Sequence, residues 1–246
     1  MDEEQARQAY FEKGRASNAQ FWQRFGEVPD WAGKRVLDLG SGHGALAVEL
    51  AAAGADVVGV DLNGELVEFA DRHTRREFAH LRDRLSFLQI DLADLPGDEP
   101  FDVVVTKDTL EHVDDIDAVL ADVRRLLVPG GRLYAGFSPL YFSPFGDHAR
   151  TGLRLPWAHA VLPERAVLAV ATRRTGQPVR SLADLGLNGN TPDRFRRAFP
   201  DSGMRVVRID YNRGDKRLLG PLETLRGRVP RLERFTTVSM YAVLAS

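Results

Sequence analysis

Between Lys34 and Phe137 the chain alternates between short apolar runs and longer segments of helical period. The runs are KRVLDLG (34–40), DVVGVDL (56–62), LSFLQIDL (85–92), FDVVVTKD (101–108) and RLYAGF (132–137), rich in Val, Ile and Leu. Between them lie GALAVELAAAG (44–54), GELVEFADRHTRREF (64–78) and DIDAVLADVRRLL (115–127). In the last, Ile116, Val119, Leu120, Val123 and Leu127 share one face, and Pro129-Gly130-Gly131 stops the helix. Strands separated by whole helices cannot pair as hairpins. They predict an α/β fold with a parallel sheet covered on both faces.

Outside this core the pattern changes. Residues 1–32 hold Tyr10, Phe11, Phe21, Trp22, Phe25 and Trp31 in a stretch of helical character, predicting an arm that must bury its rings. Residues 138–190 interrupt the alternation with Pro, Gly, Arg and aromatics, and one helix is expected there near Glu164–Arg174. TPDRFRRAF (191–199) then reads as a helix capped by Thr191, with Pro192 in first position and Gly203 as its stop. RVVRIDYN (205–212) and TTVSMYAVLA (236–245) read as the last strands, and 213–235 as basic turns. The organisation expected is therefore an arm over 1–32 and a domain over 33–246. Residues 138–190 form a lid above the carboxyl ends of the fourth and fifth strands.

Composition narrows the function classes. With no cysteine, disulfides, thiolate metal sites and cysteine nucleophiles are excluded, and a cytoplasmic protein is expected. No apolar run approaches the ~18–20 residues that span a bilayer, and the polar, acidic MDEEQARQAY is no secretory signal. Residues 1–123 carry 12 Lys and Arg against 26 Asp and Glu, whereas residues 124–246 carry 21 against 9. Mutual attraction of the halves or a solvated surface explains this; an anionic partner is the alternative. No nucleic-acid-binding module and no basic patch interleaved with aromatics is recognisable, so no nucleic-acid partner is expected.

VLDLGSGHG (36–44) leaves a buried strand and opens a helix, with Gly40, Gly42 and Gly44 letting backbone pass close under a ligand. Gly40 to Ala45 satisfies the dinucleotide fingerprint formally, and Asp61 follows about 20 residues on. Three features turn the reading elsewhere. Asp38, two residues before Gly40, would repel a phosphate but suits S-adenosylmethionine (SAM), which has no phosphate and carries a sulfonium and an amino group. Asp91 ends the third strand where an adenine contact can form. Lys107 and Asp108 end the fourth strand beside the expected crevice.

The ordered set VLDLGSGHG, VVGVDLN, FLQIDLADLP, FDVVVTKDTLEHV and LLVPGGRLY, across residues 34–137, resembles the motif series of class I SAM-dependent methyltransferases. The resemblance implies a Rossmann-like seven-stranded sheet of order 3-2-1-4-5-7-6, with the lid inserted between strands five and six. It also implies the cofactor residues: Asp38, Gly40, Ser41, Gly42 and Gly44 along the methionine end, and Asp61 on the ribose hydroxyls. Asp91 falls to the adenine amino group and Leu62 and Leu92 to the ring. Lys107 departs from the small residue common near the methionine end. Tyr10 and Phe11 would close the arm over the cofactor.

Methyl transfer from a sulfonium needs alignment and exclusion of water more than bond activation. The implied function is transfer of a methyl group to oxygen or nitrogen of a small molecule, leaving S-adenosylhomocysteine (SAH). Alternatives are a non-methylating reaction on the same scaffold, or methylation of RNA or protein. A hydroxyl acceptor needs a base. His148, beside Asp147, is the first candidate, His159 the second and Asp108 the third. Asp147, His148 and His159 follow no recognised ligand spacing, so no metal is assigned. Arg150 and Arg154 point to an anionic acceptor.

Overall fold

The computed structural model describes residues 2–246. Helix α1 (Glu3–Phe25) starts at a capping box, in which the Asp2 side chain accepts from Gln5 N–H and the Gln5 side chain accepts from Asp2 N–H. It ends on Gly26 in the left-handed conformation. The predicted alternation follows as β1 (Arg35–Leu39), α2 (Ala45–Ala52), β2 (Asp56–Asp61), α3 (Gly64–Glu77), β3 (Leu85–Gln89), β4 (Phe101–Lys107), α4 (Ile116–Leu126) and β5 (Leu127–Phe137). Next come α5 (Ala158–Val161), α6 (Glu164–Thr175), α7 (Pro192–Asp201), β6 (Arg205–Tyr211), α8 (Lys216–Arg228), α9 (Glu233–Thr236) and β7 (Met240–Ala245). One seven-stranded sheet results, ordered β3-β2-β1-β4-β5-β7-β6. All neighbours are parallel except β7, which runs antiparallel to β5 and β6.

Two cores cover the sheet, and the period of two along each strand divides them. Val36, Val103, Val105, Tyr134, Tyr241 and Val243 face α1, α2 and α3. Leu37, Val104, Leu133, Ala135, Phe137 and Leu244 face α4 and α7. Strands buried on both faces are why they read as continuous apolar runs.

Two departures concern the C-terminal third. Residues 213–235 are not basic turns: they contain α8, whose start Asp215 caps by accepting from Arg217 N–H. Gly220, Pro221 and Gly227 mask this helix in the sequence, because each lowers helix propensity. Contacts beyond the helix hold it in place, with Glu223 accepting from Asn212 Nδ2 at 2.9 Å and Arg226 pairing with Glu233 at 3.3 Å. The last strand begins at Met240 because Thr237 is drawn back onto α9, its N–H and hydroxyl both donating to Glu233 O at 2.9 Å.

Helix α1 seals the first core. Phe21, Trp22 and Phe25 are buried against Tyr134 and Tyr241 in edge-on pairs. This closeness requires Gly136 on β5, where a Cβ would lie 2.6 Å from the Tyr241 ring and 2.7 Å from Phe21. Gly136→Ala is expected to destabilise the fold by about 1–3 kcal/mol through overpacking, measured as a lowered denaturation midpoint with an unchanged slope.

Candidate active site

The turn after β1 is wound around glycines at φ +75° (Gly40), +52° (Gly42) and +81° (Gly44). A side chain at Gly40 would collide with Thr109, so β1 and the β4 exit can approach only because that Cβ is missing. Val60 O fixes the turn by accepting from Gly40 N–H and Ser41 N–H at 2.9 and 3.0 Å. Asp61, at the end of β2, accepts from Gly42 N–H and from Asn63 N–H, each at 2.9 Å. Each carboxylate oxygen therefore keeps a further lone pair for the hydroxyls of a ribose.

Asp38 lies beneath the turn, 2% exposed, with Oδ2 lacking any partner. Burial pushes its carboxyl up to about 7, against the pull of Lys107 and the Ala47 N–H. A carboxylate left short of partners under a glycine turn is an anionic cradle for a cation, and it suits a sulfonium or ammonium group.

The other cofactor candidates divide. Asp91 is exposed and spends one oxygen on Ala93 N–H at 3.0 Å. Leu62 is 69% exposed, whereas Leu92 is buried in the second core. Tyr10 is 62% exposed, with its ring 4.7 Å from His43 in the glycine turn. Phe11 does not close over this face. It is wholly buried against His73 and Phe78, because on the helix it points a full 100° away from Tyr10.

Lys107 is engaged otherwise than a cofactor ligand would be. Its Nζ donates to Ser17 Oγ (2.7 Å), Asn18 Oδ1 (2.8 Å) and Gly14 O (3.4 Å), all on α1. Asn18 in turn donates to Glu49 Oε2 at 2.8 Å and Ala45 O at 3.2 Å. The sequence reading missed these residues. The signal was a small polar notch, Gly14 and Asn18, on the same helical stripe as Phe11, Phe21 and Phe25.

Residues 138–190 pack beside the β4 exit. Asn188 and Asn190 each donate to Val113 O at 2.8 Å, and His112 Nδ1 meets Gly186 O at 2.9 Å. His148 is brought against His112, ring centroids 4.7 Å apart, and Arg150 Nη2 reaches His112 Nε2 at 3.5 Å. Burial, with His112 and Arg150 adding, pushes His148 down to about 4. Glu111 beside them is buried with both oxygens unpartnered, and burial followed by Asp108 holds its carboxyl well above the usual range. Asp108, at the exposed rim, is also raised by desolvation, against Lys107. His159 is not part of this group. It is 3% exposed, its Nε2 lies 2.5 Å from Tyr141 O, and Asp147 faces it at 4.0 Å instead of orienting His148. Arg154 is exposed.

A separate cleft of about 460 Å³, between Glu27, Lys34, Asp102 and Arg132, opens at the amino ends of the strands. Ligands of open α/β sheets bind at the carboxyl ends, where the glycine turn lies.

Sheet order, glycine turn and the acids after β1, β2 and β3 define a class I SAM-dependent methyltransferase fold. Residues 37–135 match the family described as methyltransferase domain. That stretch thus carries a methyltransferase domain, and its fold is similar to that of the class I enzymes, whose cofactor is SAM. The ubiquinone biosynthesis O-methyltransferase of Methylococcus capsulatus is 38% identical over 105 residues, which is 42% of this chain and 43% of that protein. The match thus spans less than half of the relative. A SAM-dependent methyltransferase from Mesorhizobium loti superposes with TM-score 0.59 at 18% identity, covering 94% of this chain and 98% of that one. Magnesium protoporphyrin IX methyltransferase from Synechocystis PCC 6803, with bound SAH, gives TM-score 0.53 at 20% identity over 98% of this chain and 82% of that one. Among the described residues no helix is long and apolar enough to cross a membrane.

The orphaned Asp38 oxygen fits the cationic end of SAM, and ionised Asp38 is the form that attracts it. Because the folded carboxyl sits near 7, above its unfolded value, SAM binding should release a proton and strengthen as pH rises. Calorimetry at pH 8 and pH 6 is expected to show about tenfold weaker binding at the lower value, a difference abolished in Asp38→Asn.

Proposed function

We propose that the protein transfers a methyl group from SAM to an oxygen atom of a small, anionic acceptor. The observation that carries this is the proton-handling group at the β4 exit: Asp108, Glu111, His112 and His148. A free amine needs no such machinery, whereas a hydroxyl must lose its proton as the methyl arrives. When bound, SAM supplies a methyl already activated by its sulfonium. The chain's own part is to hold, align and keep dry. Asp38 anchors the cationic end, Asp61 the ribose, and Asp91 the adenine edge, with Leu62 against the ring. Residues 138–190 act as the lid, excluding water and presenting Arg150 to the acceptor's anionic group.

Asp108 is the base in this reading. An imidazole pushed down to about 4 binds a proton too weakly to draw one from a hydroxyl, whereas Asp108 stands exposed just past the carboxyl end of β4. His148 then acts as a neutral partner to the acceptor oxygen, and His159 as a pin that shapes the lid. Label transfer from SAM to phenolic acids and aliphatic hydroxy acids tests this directly. Asp108→Asn should lower turnover by ~10²–10⁴-fold with SAM affinity unchanged. Arg150→Ala should raise the acceptor KM more than it lowers kcat, while Arg154→Ala leaves both alone. Product carrying its methyl on nitrogen or carbon would contradict the reading.

A further inference from the structure

Glu111, His112 and His148 each offer one ligand atom, and these atoms lie within 4.8 Å of one another. Tetrahedral coordination at Zn–N and Zn–O distances would place such atoms about 3.3 Å apart, so closure by roughly an ångström completes a site. Each histidine keeps one ring nitrogen with a free lone pair. His112 Nδ1 donates to Gly186 O at 2.9 Å, leaving the lone pair on Nε2. His148 Nε2 donates to Pro139 O at 3.0 Å, leaving the lone pair on Nδ1. A second ring nitrogen tied to a backbone carbonyl is the arrangement that orients metal-binding histidines. The independent sign is Glu111, 5% exposed, with neither carboxylate oxygen partnered. A buried carboxylate in that condition lacks the counter-charge that burial demands.

We propose that Glu111, His112 and His148 bind a first-row divalent cation such as Zn2+ or Mn2+. Two imidazoles and one carboxylate favour borderline cations over Mg2+ or Ca2+. They leave coordination positions open, as catalytic sites do. Arg150 stands closest: its Nη1 is held by Leu185 O at 2.9 Å and Gly186 O at 3.0 Å, and Nη2 reaches His112 Nε2 only at 3.5 Å. An ion taking that lone pair displaces a weak contact and leaves Arg150 anchored. Its charge opposes the ion, while Glu111 and the nearby Asp108 favour it. Delivery of an acceptor oxygen to the open positions rests on the proposed function; binding of the ion does not.

The test is calorimetric titration of the whole chain, stripped with chelator and free of SAM, using Zn2+ and then Mn2+. One saturable Zn2+ site is expected, with a raised melting temperature. Glu111→Gln and His148→Asn should each weaken binding by at least roughly tenfold and remove the thermal shift, in line with loss of a ligand. His80→Gln, on an exposed turn, should change nothing. Glu111→Gln keeps the size of the side chain and should not lower the metal-free melting temperature, which separates lost binding from lost folding. Failure of the wild type to bind, or binding that survives Glu111→Gln and His148→Asn together, would overturn the site. Methyl transfer is not measured, so this outcome is independent of the acceptor reading.

Discussion

Lys107 donates from the carboxyl end of β4 to Ser17, Asn18 and Gly14 on α1, and its charge also pulls on the buried carboxylate of Asp38. One ammonium group thereby couples the N-terminal helix, the first strand and the fourth. Burial lowers the lysine's affinity for its proton, while Asp108, Asp38 and Glu49 oppose that shift. The anchor falls where a polar notch, Gly14 and Asn18, interrupts the apolar stripe of the helix. Its aromatic end is held separately by Tyr134 and Tyr241. The wall of the cofactor crevice is therefore an electrostatic structure on one side and a packed one on the other.

The same logic of burial governs the groups at the β4 exit. Placing residues 138–190 beside the β4 exit removes water from Glu111, His112 and His148, and each responds by disfavouring its charged form. Neutral imidazoles and a carboxylate lacking partners would be a liability in a purely structural core, where buried polar groups are paired. At the carboxyl ends of a parallel sheet they form a site prepared for something that the chain itself does not supply. His159 shows the contrast: more deeply buried than His112 or His148, but satisfied by Tyr141 O, it belongs to the framework of residues 138–190.

Most of the sheet was legible because its signals are local. Runs such as VLDLG and FDVVVT, with the glycine turn between the first strand and its helix, dictate parallel strands whatever surrounds them. The reading failed at α8, where Gly220, Pro221 and Gly227 argue against a helix that Asp215 and Glu223 sustain through contacts. It failed again at Phe11, since an aromatic on an arm does not reveal which face the arm presents.

The sequence by itself determined the sheet, the glycine turn and the acids after β1, β2 and β3, because these follow from residue periodicity and from a turn only glycine can make. Tertiary structure alone decided which lone residues became partners. Lys107 met Asn18 across 89 positions, and His112 met Gly186 across 74. His148 came to His112, while Asp147 turned to His159. No spacing encodes such pairs. They exist only once the strands have brought their carboxyl ends together and residues 138–190 have packed beside them.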